Sequence, residues 1–266
     1  VEEKHVSDPN INEPFMADLK KSFDADRFSG EHNERLLHSH GQHSTDEVYK
    51  VLYNRLDQFA DLVFYIESEE ETVKLIDLAE KHNVCLIPYG GGTNVTNALR
   101  PPKNEGRMIV SVDTRRMASV ESVDEQNLMV TVGAGITGKV LEEKLNKRGF
   151  TVGHEPDSYE FSTVGGWIST NAAGMKKHKY GNIEDIVQNL RMVTPKGVIT
   201  QKKPLTRSSF GIKALKKRWA PGPPPAADDY YDHHHHYYYY YDDDYYYDDY
   251  YYHHHHYYYD YYYDYD

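Results

Sequence analysis

The sequence predicts a mixed domain, α+β or α/β, and excludes a helical bundle. Three observations carry this. Strand-like and helix-like apolar runs alternate in the early part of the body, and strand-like runs dominate the later part. A strand–helix–strand unit also leads directly into three consecutive glycines, Gly90, Gly91 and Gly92.

Taken in order, residues 1–30 are polar and mixed, with one short helix expected around residues 15–23 and Pro14 at its start. The pattern sharpens at Asp61. Residues 62–66 read as a buried strand, and Ser68 with Glu71 three positions on forms a capping box for the helix that follows. Val73, Leu75, Ile76, Leu78 and Ala79 mark its apolar face, Asn83 ends it, and residues 84–87 are a second buried strand. Residues 108–113, 120–124 and 128–132 read as further strands. Residues 133–138 turn the chain into a helix over 139–148, with Val140, Leu141 and Leu145 inward and Gly149 closing it. A last strand is expected over 186–193, followed by a type I turn at Thr194-Pro-Lys-Gly197.

The formal net charge of −12 belongs to one segment. Residues 228–266 are all Tyr, Asp or His and hold 11 of the 42 acidic side chains and no Lys or Arg, which leaves 30 basic against 31 acidic groups in residues 1–227. The body is therefore balanced, and no nucleic-acid partner is expected. Codons for Tyr, Asp and His share a middle A and a pyrimidine third base, so the tract reads as a translated A/T-rich repeat entered by a frame change near residue 200. It has no period and no core, and disorder is expected. Its two four-His runs, 233–236 and 253–256, offer a metal-binding alternative, but no metal ligand is assigned. Cys85 is the single cysteine, which rules out an internal disulfide and suits a reducing compartment. No run of 18 apolar residues occurs. The start at Val1 reads as a removed presequence or a fragment. His38, His40 and His43 match no zinc spacing and read as solvent-facing or supporting histidines.

Three glycine clusters compete for chemistry. In the first, Pro88, Tyr89, Gly90, Gly91, Gly92, Thr93 and Asn94 leave a buried strand. A run without Cβ atoms can take φ > 0 and turn its N–H groups on an anion. No Gly-Lys-Ser/Thr follows, so it is not a P-loop. The second, Gly133-x-Gly135-x-x-Gly138, satisfies the dinucleotide fingerprint, with Glu155 20 residues after Gly135. The strand that should follow is only residues 150–152, and four elements precede the turn, so a nicotinamide site is the lesser reading. The third runs over 154–174 and is rich in hydroxyls and small residues. A flat group can lie against such a wall, and Ser162 or Thr163 is placed to cap a helix there.

The strings Pro-Tyr-Gly-Gly-Gly-Thr, Val-Glu-Ser-Val-Asp-Glu-Gln-Asn-Leu, Gly-Ala-Gly-Ile-Thr-Gly, Gly-His-Glu-Pro-Asp-Ser-Tyr-Glu-Phe-Ser-Thr-Val-Gly-Gly-Trp and Tyr-Gly-Asn-Ile-Glu-Asp, between about residues 35 and 197, resemble the alkyldihydroxyacetonephosphate synthase family. That family lies within the vanillyl-alcohol oxidase/p-cresol methylhydroxylase superfamily. The resemblance implies an α+β, two-subdomain FAD-binding domain over 35–203, incomplete at its C-terminal end. It would follow a polar segment at 1–34 and precede a linker at 204–227 and the tail at 228–266. By the same resemblance residues 88–94 wrap the FAD pyrophosphate. Asp157, Ser158, Tyr159, Glu160, Phe161, Ser162 and Thr163, with Thr170, Asn171, Ala172 and Ala173, line the rest of the cofactor. The 133–138 turn becomes scaffold.

Asn171 stands where the family has Arg. The implied activity is FAD-dependent exchange of the fatty acid of acyl-dihydroxyacetone phosphate for a fatty alcohol in ether-lipid synthesis, in the peroxisome. Peripheral membrane association and a homodimer are compatible with it. The family's later segments do not follow Gly197 in this sequence, so no catalytic residue is assigned and the chain is expected to be incomplete as an enzyme. The rival readings are another FAD-linked oxidoreductase of the superfamily, of the 2-hydroxy-acid dehydrogenase type, and a non-catalytic flavin-binding fragment.

Overall fold

The structure is a computed structural model that describes residues 6–200. The expected linker, the Tyr/Asp/His tract and its two His runs lie outside the described residues.

A four-stranded sheet organises the first part of the chain. β2 (Leu62–Tyr65) and β3 (Cys85–Tyr89) both run parallel to β4 (Ile109–Asp113), which lies between them, and β1 (Phe28–Ser29) adds antiparallel to the outer edge of β2. Helix α4 (Glu69–His82) makes the crossover from β2 to β3. Ser68 accepts the Glu71 amide at 3.1 Å, which is half of the expected capping box. The Glu71 carboxylate takes the Glu67 amide instead, and also binds Arg27. Asn83 closes α4 in the left-handed conformation, φ 53°, which a short amide side chain tolerates.

Period-two alternation splits these strands between two cores. Leu62, Phe64 and Ile66 of the β2 segment, with Met108, Val110 and Val112 of β4, face α4 and helix α1 (Glu13–Ser22). Cys85, Ile87, Tyr89 and Ile109 face the opposite side with Ala60 and Leu99. α1 contributes Phe15, Met16 and Leu19 to the first core. The Asn10 amide donates to Asp61, and that carboxylate also takes the Ile109 amide at 2.7 Å. The described part of the polar N-terminal segment, residues 6–34, packs on the same core through α1, because its few apolar residues recur at helical spacing. Helix α2 (His32–Leu37) then contacts β2, where Glu34 accepts the Tyr65 hydroxyl at 2.6 Å, and α3 (Thr45–Leu52) follows it.

A second, smaller core follows. The antiparallel pair β5 (Val120–Asp124) and β6 (Met129–Val132) packs with α5 (Gly138–Asn146) around Ile136, Leu141 and Leu145. α6 (Val164–Thr170) and two single-turn helices, α7 (Lys177–Tyr180) and α8 (Ile183–Ile186), precede a hairpin of β7 (Arg191–Thr194) and β8 (Gly197–Thr200). The strand expected over 186–193 is corrected here. Its first part is the α8 turn and the segment after it, because Asp185 reaches back to the Asn182 amide at 2.9 Å and closes the backbone into a helical turn. The two-subdomain α+β organisation is otherwise as expected.

Candidate functional site

The parallel strands β2, β3 and β4 end together at Tyr65, Tyr89 and Asp113, and the Gly90–Gly92 run leaves the end of β3. In open parallel sheets this carboxyl edge is where ligands bind. The run leans on the third glycine cluster. A Cβ at Gly90 would sit 2.5 Å from Thr163 Oγ1, and one at Gly91 would overlap the Phe161 carbonyl and come within 2.9 Å of Ser162 Cα. Only Gly92 takes φ > 0, at +69°, and the Tyr89 hydroxyl packs against it from beneath. Gly91 is therefore required by the approach of the facing backbone, Gly90 by the Thr163 side chain, and Gly92 by a left-handed turn.

The main-chain N–H groups of Gly90, Gly91, Gly92, Thr93 and Asn94 engage no acceptor among the described residues. The Gly133–Gly138 turn differs. The amides of Gly133, Gly135, Ile136 and Gly138 donate to Ser119, Met117, Gly133 and Ser162 carbonyls, and a Cβ at each of its three glycines would overlap protein atoms. Four of the six amides of that turn are thus already engaged, and the protein atoms packed against its glycines leave no space for a nicotinamide dinucleotide. Its rim is tied to the third cluster by Val164 and Gly165 amides donating to Ile136 and Ala134.

A scan of family models matches residues 60–201 to the FAD binding domain family, more than half of the chain. This chain belongs to that family. Among curated proteins it is 47% identical over 184 residues to alkyldihydroxyacetonephosphate synthase of Caenorhabditis elegans, an alignment that covers 69% of this chain and 31% of that one. To the synthase of Dictyostelium discoideum it is 39% identical over 212 residues, 80% of this chain and 34% of that one. A solved structure of alkyldihydroxyacetonephosphate synthase superposes with a TM-score of 0.75 at 37% identity, covering 80% of this chain and 39% of the other. The chain spans about a third of the length of these curated relatives.

The FAD-binding-domain site residues named from the sequence fall into two groups. Glu160, Phe161, Asp157, Thr170, Asn171, Ala173 and Pro88 are exposed, and Gly90, Gly91, Thr93, Asn94, Ser158, Tyr159 and Ala172 are half-buried beside them. Tyr89, Gly92, Ser162 and Thr163 are buried supports. Trp167 Nε1 donates to Ser162 Oγ at 2.7 Å, and Thr163 Oγ1 accepts the Gly166 amide at 3.2 Å as the cap of α6. Asn171 closes α6 at φ 49°. A left-handed terminus suits Asn better than Arg, which gives its presence here a backbone reason.

Behind the glycine run lies a buried polar cluster whose roles the sequence did not specify. His38 is fully buried, not solvated. Its Nε2 donates to Asp113 Oδ2 at 3.0 Å, its Nδ1 faces the Glu34 carbonyl at 2.8 Å, and its ring lies 4.4 Å from the Tyr89 ring. His40 is buried as well, while His43 is exposed and reaches Ser158 Oγ at 2.9 Å. Burial works to raise the Asp113 carboxyl, but hydrogen bonds from His38 and from the side chain and amide of Arg115 outweigh it and hold the group below the usual carboxylate range. Burial pushes the Tyr89 phenol up, so it is neutral at physiological pH. The Cys85 thiol, in the core at the start of β3, is pushed up to about 12 by the same cause and is inert as a nucleophile. No group of three or more His, Cys, Asp or Glu side chains placed to hold a metal ion occurs among the described residues.

Proposed function

We propose that residues 88–94 hold the diphosphate of FAD, and that the wall from Asp157 to Thr163 with Thr170 to Ala173 lines the remainder of the cofactor. The observation that carries this is the set of five consecutive unengaged N–H groups at the carboxyl end of a parallel strand, facing a wall of small and hydroxyl residues. The chain's own residues fit the group. Backbone donors suit a diphosphate, and the exposed Phe161 suits a flat apolar ring system. When bound, the flavin supplies the reacting centre, and the protein here binds and orients it.

The reaction supported by the relatives' names is the exchange of the fatty acid of acyl-dihydroxyacetone phosphate for a fatty alcohol. One ester is released as the acid, one ether bond is made, and no net redox change occurs. Residues 35–200 would serve as the cofactor-holding part of such a synthase, with the peroxisome as the compartment the family implies. Two measurements test the reading. Titration of the purified chain with FAD should quench flavin fluorescence to a saturable end point, and an unsaturable response would end the cofactor assignment. A chimera carrying residues 35–200 in place of the matching region of the Caenorhabditis elegans synthase should retain incorporation of labelled fatty alcohol. A flavin-loaded but inactive chimera would confine the proposal to cofactor binding.

A further inference from the structure

We propose that residues 41–43, which lie upstream of the matched family region, form a strap that fixes the two walls of the flavin site against each other, with Gln42 and His43 as positioning residues. This rests on the placement of the FAD diphosphate at residues 90–94. Each strap residue touches one part of the site. Gly41 packs where a Cβ would lie 2.6 Å from the Asn94 carbonyl oxygen, and its amide donates to the buried Glu47 carboxylate of α3 at 3.0 Å. The Gln42 amide donates to the Gly92 carbonyl at 2.7 Å, and Gln42 Nε2 donates to the Tyr89 hydroxyl at 3.0 Å. His43 Nδ1 lies 2.9 Å from Ser158 Oγ, on the opposite wall and 115 positions away in sequence.

The first of the Gln42 bonds has a directional consequence. In a trans peptide the carbonyl and the following N–H point in opposite directions, and no cis bond occurs among the described residues. Holding the Gly92 carbonyl on the strap therefore aims the Thr93 N–H away from it. The second bond holds the phenol that packs beneath Gly92, so the side chain of Gln42 sets the height of the same peptide. His43 then ties this assembly to the wall that begins at Asp157. Preset donors lose less freedom when an anion arrives, and affinity rises by that difference.

The test uses the full chain and FAD itself. Gln42→Met keeps length and main-chain donor but removes the side-chain donor, and His43→Ala removes the tie to Ser158. Each is expected to weaken FAD binding about fivefold, the scale of one hydrogen bond, with the urea midpoint of the flavin-free protein unchanged. The double variant His43→Ala/Ser158→Ala should weaken binding by less than the product of the two single effects, because both remove the same contact. Unchanged affinity in both strap variants, multiplicative effects in the cycle, or losses that track the flavin-free midpoint would each overturn the strap. If the strap variants bind normally while Gly91→Ala does not, the diphosphate placement stands without it. If the unaltered chain takes up no FAD, both ideas fail together.

Discussion

The two glycine-rich turns that follow strands in this chain, residues 90–92 and residues 133–138, use missing side chains to different ends. Around Gly133, Gly135 and Gly138 the space is filled by main chain and by Trp167, and four amides of the turn already have carbonyl partners. Around Gly90 and Gly91 the space is filled by the facing wall at Phe161–Thr163, but the amides of the run are left without partners among the described residues. Both turns satisfy the steric meaning of glycine. Only one leaves every one of its amides without a partner among the described residues. A fingerprint written in glycines alone records the first property and is silent on the second, which explains why Gly133-x-Gly135-x-x-Gly138 matches a dinucleotide motif while acting as scaffold.

The largest effect that would sharpen this contrast comes from Gly135→Ala. The added methyl group meets the Thr114 carbonyl and approaches Arg115 Cα at 2.9 Å, backbone atoms with no flexible side chain to move. We expect a loss of stability on the order of 3 kcal/mol, read as a lowered urea midpoint with an unchanged slope. The FAD affinity of the molecules that remain folded should be unaltered. A variant with normal stability would show that the turn is looser than its geometry implies.

Gly91→Ala tests the other turn. The new methyl group pushes against the Phe161 carbonyl, so the strain falls between the two walls and not within one scaffold. FAD affinity should fall at least about tenfold, while stability falls by about 1 kcal/mol. Equal proportional losses in both quantities would erase the distinction between the turns. Phe161→Ala should do less. This ring is 61% exposed and packs little in the flavin-free protein, so stability should stay within about 0.5 kcal/mol while FAD binding weakens by about 1 kcal/mol. Calorimetric titration of the two proteins side by side would measure it.

Much of the fold was legible because period and punctuation agreed. The β5 limits match the expected 120–124, Asn83 and Gly149 close their helices with φ > 0, and the β2–α4–β3 unit follows its apolar pattern. Residues 186–190 were misread as the start of a strand because their apolar residues suit one, whereas Ile186 ends the α8 turn and the strand begins only at Arg191. At the site, the two walls were named from sequence, but which residues face outward was not. Thr163 caps α6, as the sequence allowed for Ser162 or Thr163, while the contact of Ser162 with the Trp167 indole had no local signal. The supporting layer joins residues 38–42 to Tyr89 and to Asp113 and Arg115 by contacts across 47 to 77 positions that no local pattern encodes.

The smallest effect concerns the back of the third cluster and is read through pH. His154 is 2% exposed, its two ring nitrogens have no hydrogen-bond partner, and its ring lies edge-on to Trp167 at 4.9 Å. Burial holds its imidazole below the ordinary value of 6.5, and Glu184 only partly offsets this. The unfolded chain therefore binds the proton more readily than the folded one. The stability associated with a neutral His154 is complete above pH 6.5 and is lost as pH falls below it. His154→Phe keeps the ring against Trp167 and removes the titration. Between pH 7.5 and pH 5.5, conditions chosen to bracket that value at roughly one unit on either side, the urea midpoint should fall further in the unaltered protein than in the variant. Parallel declines would mean that the imidazole is hydrated in solution, and that this wall is open from behind as well as from the side that faces Gly91.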